Sequence, residues 1–147
     1  MGYHRGPDLP WEGPLRTEES RRLVLDYYAA LQAGEPDRLA KLLADDLEWI
    51  PPRSAPLEGP FRGRERVLAA MREAGARFFD LATAKVETRK IVADGDTVVV
   101  LQSLRCKARN GRDYSNEYIW IFTCDGGRIA RMEEHVDTLR FQRIVLD

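Results

Sequence analysis

The sequence predicts an α+β fold in which three N-terminal helices pack on a curved, mainly antiparallel sheet. Helical periodicity fills the first half of the chain and long β-rich runs fill the second. Those runs are separated by Asp94-Gly95, Asn110-Gly111 and Asp125-Gly126-Gly127, turn residues that accept positive φ. At 147 residues and 44% hydrophobic content, one domain with a single sizeable core is expected.

Residues 1–16 carry Pro7, Pro10 and Pro14 with Gly2, Gly6 and Gly13 and show no periodicity, so they read as an N-terminal arm whose one anchor is Trp11. The domain proper is expected over 17–147. Thr17 is placed to cap a first helix, with Glu18 and Glu19 at the positive end of its dipole and Leu23, Tyr27, Ala30 and Leu31 as its apolar stripe. Gly34 ends it. Pro36 suits the first turn of a second, short helix buried through Leu39, Leu42 and Leu43, and Leu47–Ile50 reads as a strand stopped by Pro51-Pro52. A polar loop leads to Gly63, and a third helix over about 64–76 sets Val67, Leu68, Met71 and Ala74 on one side. From Leu81 onward the three turns divide the chain into a four-stranded meander.

Charge and composition narrow the function classes. The 23 basic and 24 acidic residues nearly cancel and form no basic block, which argues against nucleic acid and against a polybasic membrane patch. No apolar run approaches the roughly 20 residues that span a bilayer, and the N-terminus lacks an apolar signal core, so a cytoplasmic protein is expected. Cys106 and Cys124 fall in predicted strands without CxxC spacing and read as small buried hydrophobes. His4 and His135 lie far apart with no second ligand at zinc spacing, so neither a metal nor any other cofactor is expected.

Turn length fixes register, and register decides which side chains share a face. A two-residue Asn110-Gly111 turn sets Leu101 opposite Trp120, Ser103 opposite Tyr118 and Arg105 opposite Asn116. A three-residue Asp125-Gly126-Gly127 turn sets Trp120 opposite Met132 and Tyr118 opposite Glu134. One face then gathers Leu101, Ser103, Arg105, Asn116, Tyr118, Trp120, Met132 and Glu134, apolar and aromatic groups around a few convergent polar ones, which is the make-up of a ligand pocket. The opposite face would carry Val98, Val100, Gln102, Leu104 and Cys106 beside Glu117, Ile119 and Ile121. Helices can cover only one of two apolar faces, so a homodimer through the outer face is expected.

The run from Asp26 to Trp49, the segment Gly59-Pro-Phe-Arg-Gly-Arg64 and the segment Asp125-Gly-Gly-Arg-Ile-Ala-Arg-Met-Glu-Glu-His-Val-Asp137 resemble SnoaL-like, ketosteroid isomerase-like and nuclear transport factor 2-like domains. The resemblance covers about residues 18–140 and implies a cone of helices over a curved sheet, in a superfamily of isomerases, polyketide cyclases, epoxide hydrolases and non-catalytic binders. The ketosteroid isomerase tyrosine that donates to the dienolate oxygen matches Tyr27. The general-base aspartate of those enzymes falls on Pro51, which takes no proton, and their oxyanion-hole aspartate falls near Tyr118. Limonene epoxide hydrolase-like proteins place their water-activating aspartate on Glu134. Their pocket tyrosine and asparagine fall on Trp49 and Pro51, their arginine and second aspartate fall near Leu101 and Ser103, and Arg105 lies close by without aligning.

Two functional readings follow. In one, the chain binds a small hydrophobic molecule and Glu134, its pKa raised by desolvation, works with Tyr27, Tyr118 and Asn116 in cofactor-free acid/base chemistry of isomerase, cyclase or epoxide hydrolase type, inside walls made by Trp49, Trp120 and Met132. In the other, Glu134 is half of a structural ion pair with Arg105, and the chain is a non-catalytic metabolite-binding or protein-interaction module.

Overall fold

A computed structural model describes residues 14–53 and 56–147. The expected arm falls largely outside the described residues, as do Trp11 and His4, while Pro14 already opens the first helix. The elements run α1 (Pro14–Ala33), α2 (Pro36–Leu42), β1 (Leu43–Ile50), β2 (Phe61–Arg62), α3 (Arg64–Phe78), β3 (Phe79–Asp94), β4 (Thr97–Ala108), β5 (Asp113–Asp125), β6 (Arg128–Val136) and α4 (Thr138–Phe141), closed by a π-helical turn, Gln142–Leu146. The sheet has six strands in the order β2-β1-β6-β5-β4-β3, antiparallel except where β1 runs parallel to β6. The fold is α+β as expected, with a fourth short helix after the last strand in addition to the three N-terminal ones.

Thr17 lies inside α1 rather than at its cap. Its Oγ1 accepts from the Gly95 amide at 2.9 Å and so ties α1 to the β3–β4 turn. Val24, Tyr27 and Ala30, at helical spacing, form the buried stripe of α1, whereas Leu31 is 44% exposed. The main core joins these to Leu43, Leu47, Val67, Val98, Val100, Phe122, Ile129 and Met132. A second cluster, Phe78, Cys106, Ala108, Tyr114, Tyr118 and Phe141, closes the other end of the same sheet face. Both cysteines are buried and unbridged. Leu57, Ala74 and Trp120 touch both clusters, and the space between them is where the site lies.

Two turns differ from expectation. The β4–β5 loop has three residues, Arg109-Asn110-Gly111: Ala108 N donates to Arg112 O at 2.9 Å and the ladder starts at Lys107 and Asp113. Arg109 is drawn off the ladder because its amide donates to Phe78 O at 2.9 Å and its Nε to Ala76 O at 2.8 Å, while Gly111 takes φ +84 to close the loop. One residue of slip inverts the alternation of β4 relative to β5. Val98, Val100, Gln102, Leu104 and Cys106 therefore face the helices, and Leu101, Ser103 and Arg105 face outward.

The β5–β6 turn has two residues, Gly126-Gly127, both with positive φ, and pairs Asp125 with Arg128. A bulge at Ala130, between the Cys124–Ile129 and Thr123–Arg131 pairs, then restores the parity that the shorter turn had removed. Trp120 sits opposite Glu134 and Tyr118 opposite Val136, each two residues along from the expected partner and so on the expected face.

Candidate functional site

Between the two clusters the concave face of the sheet and the helices form a half-open cavity of about 620 Å³. Helix α1 contributes Tyr27 and Tyr28, α3 contributes Met71 and Phe78, and β4, β5 and β6 contribute Gln102, Trp120 and Glu134 in turn. Most of the lining is apolar or aromatic, and among the described residues Glu134 is its only carboxyl group. Among the described residues no histidine or cysteine lines the cavity.

Strand β1 is held parallel to β6 with Trp49 beside Met132, and this directs the indole at Glu134: Trp49 Nε1 donates to Glu134 Oε2 at 3.1 Å. Trp49 is stacked on Phe61, centroids 5.3 Å apart, which fixes the donor. Among the described residues Glu134 has no cationic partner. Burial therefore dominates and pushes its pKa from 4.5 up to about 7, with the indole hydrogen bond pulling weakly the other way. The expected ion pair with Arg105 does not form, because the slip in β4 turns Arg105 to the exposed outer face, where it pairs with Ser115 and Lys85 across the ladder.

Tyr27 is buried, and among the described residues its hydroxyl has no hydrogen-bond partner, so it opens on the cavity. Burial and the charge of Glu134 both raise its pKa. Tyr118 also lines the cavity and is raised by burial above all. Its hydroxyl lies 2.8 Å from that of Tyr114, which in turn accepts from Asn116 Nδ2 at 2.9 Å. Tyr114 is 2% exposed, and Tyr118 is its only acceptor among the described residues. Leaving a buried hydroxyl hydrogen unused is costly, so Tyr114 donates to Tyr118, and the Tyr118 hydrogen is free for the cavity.

The remaining expected site residues divide by position. Trp49 and Trp120 form cavity wall. Asn116 does not reach the cavity: its amide is committed to Tyr114 and to Asp137 O at 3.0 Å, so it orients the tyrosine pair. Met132 faces the right way but is fully buried in the core beneath the wall. Leu101, Ser103 and Arg105 are on the wrong side of the sheet for the reason given above. His135 and Asp137 lie away from the cavity, His135 opposite Ile119 on the outer face and Asp137 capping α4 through Arg140 N at 3.0 Å.

Several lining residues were not anticipated, chiefly Gln102, Leu104, Phe78 and Phe141. Gln102 and Leu104 were legible in principle, since a three-residue hairpin ending in a glycine is a common form. Phe141 follows an Asp137-Thr138 start signal for a short helix.

The family model described as "SnoaL-like domain" matches residues 24–132. An uncharacterised protein of Mycobacterium tuberculosis (strain ATCC 25618 / H37Rv) is 30% identical over 112 residues, 76% of this chain and 84% of that protein. Among solved structures, an NTF2-like protein from Burkholderia xenovorans LB400 is 25% identical with TM-score 0.72, over 88% of this chain and 97% of that one. An LEH-like epoxide hydrolase of M. tuberculosis is 23% identical with TM-score 0.67, over 88% and 91% of the two chains.

Proposed function

This chain belongs to the SnoaL-like domain family, and on that premise we propose that it binds a small hydrophobic molecule in its cone cavity and moves a proton on it with Glu134. The observation that carries this reading is one carboxyl group, the single one among the described residues that line the cavity, on a mostly apolar wall where burial pushes its pKa up to about 7. A carboxyl group with that pKa is divided between base and acid at neutral pH, the condition under which proton transfer in both directions is efficient. Tyr27 and Tyr118 supply hydroxyl donors for charge developing on a substrate oxygen, and their raised pKa values keep them protonated while they do so. This parts list suits cofactor-independent isomerase, cyclase or epoxide hydrolase chemistry, and an LEH-like epoxide hydrolase is among the solved structures of similar fold.

The test is Glu134→Gln assayed with a panel of hydrophobic enones and epoxides. Turnover by the wild type that drops at least about 100-fold in the variant, with hydrophobic probe binding retained, supports proton transfer. Binding without turnover in either protein assigns the chain to the non-catalytic binders.

The outer face of the sheet carries a stripe made by Val92, Val99, Leu101, Ile119 and Ile121, with Val92 51% and Ile119 42% exposed. Its proposed occupant is a second copy of the chain, packed sheet to sheet.

A further inference from the structure

Gln102 is the most deeply buried amide in the cavity wall, 6% exposed, and its neighbours along the inward face of β4 are Val100 and Leu104. Its Nε2 donates to Thr88 Oγ1 at 3.1 Å across the β3–β4 pair, which holds the side chain in one direction. Its carbonyl oxygen has no partner among the described residues. Since no buried side-chain nitrogen or oxygen there lacks both a partner and open space, that oxygen looks into the cavity. A strand position between two aliphatic residues gains nothing structural from an amide satisfied at one end only.

We infer that Gln102 is a specificity-determining residue, selecting hydrophobic molecules that carry a hydroxyl group at the end remote from the one held by Glu134. The inference rests on the cavity being a ligand site, as proposed above. Gln102 pairs with Tyr118, Tyr118 pairs with Val136, and Glu134 lies two residues along β6, so the two polar positions are two strands and one side-chain repeat apart. Strand spacing of about 4.8 Å and a rise of about 3.4 Å per residue put their Cα atoms about 12 Å apart. A skeleton of two fused rings with an oxygen at each end spans that gap, one oxygen meeting Glu134 and Tyr118, the other donating its hydroxyl hydrogen to Gln102.

Calorimetric titration of 2-naphthol and 2,6-dihydroxynaphthalene into wild type and Gln102→Met tests it. The diol is expected to bind the wild type about three- to tenfold more tightly than the mono-ol, the worth of one net hydrogen bond. Gln102→Met, which keeps length and apolar volume, is expected to erase that preference while holding 2-naphthol affinity within about twofold. Thr88→Val, which frees the amide without removing it, is expected to give an intermediate preference and guards against a folding defect in the first variant. A diol preference that survives in Gln102→Met, or a wild type that does not distinguish the probes, overturns the inference while leaving the cavity a ligand site. If neither probe binds the wild type, the ligand-site reading falls with it.

Discussion

Glu134 keeps a proton longer when folded than when unfolded, because its pKa of about 7 in the folded chain lies above the ordinary 4.5. Its contribution to stability is therefore complete below pH 4.5 and is lost as pH rises through about 7. The full difference is at most about 3 kcal/mol, at 1.36 kcal/mol for each pH unit between the two values. Urea melts at pH 5 and pH 8 should show the wild type losing stability at the higher pH, and Glu134→Gln should flatten that difference. A second expectation concerns the indole donor. Trp49→Phe removes a hydrogen bond that favours the carboxylate, so the Glu134 titration should move above about 7, as followed by NMR of a side-chain-labelled glutamate. An unmoved titration would show that the indole contact is not made in solution. At Tyr114, substitution by Phe deletes the donor that now occupies Tyr118 O and with it the bond that holds the Tyr118 hydroxyl toward the cavity, so any turnover should fall while probe affinity changes little.

At the scale of elements, the β5–β6 hairpin decides whether there is a site at all. Gly126 and Gly127 both hold left-handed backbone, φ 55 and 75, which side-chain-bearing residues adopt at a cost of roughly 1–2 kcal/mol each. Gly127→Val should therefore lower the melting temperature by several degrees. The bulge at Ala130 matters more. Deleting that residue would exchange Met132 and Glu134 for Arg131, Glu133 and His135 on the inward face, burying charge in the core. The expected result is a chain that no longer unfolds cooperatively in thermal melts. The element types and their order were legible from periodicity and turn chemistry, whereas Glu134 shares a face with Tyr118 and Trp120 only because the bulge at Ala130 offsets a turn one residue shorter than expected. The exact pairing was not legible. Loop length in the β4–β5 hairpin depends on Arg109 being claimed by the end of α3, a contact between segments 31 to 33 residues apart.

For the whole molecule, two packed clusters on one face of a curved sheet leave a gap that helices α1 and α3 bridge without filling. Phe122, 1% exposed in the main cluster and edge-packed on Tyr27 and Tyr28, is one of the supports of that gap. Phe122→Ala should cost about 3–5 kcal/mol in denaturant unfolding. The outer face makes a different demand: sedimentation at micromolar concentration should give a dimer, and Ile119→Lys should shift it to monomer with the cavity intact.

The sequence by itself determined the α+β class, the helix-then-meander order and the presence of an acid, Glu134, on the last strand. These follow from local periodicity and from turn residues that tolerate positive φ. Only the tertiary structure decided which residues surround that acid. Replacing the expected Leu101, Ser103 and Arg105 with Val100, Gln102 and Leu104 took a one-residue slip, and it removed the cation that would have held Glu134 ionised. The physical reason is that a strand's alternation is local while its phase against its neighbour is not. Phase is set where the loop meets the rest of the molecule, and here that meeting point is the end of α3.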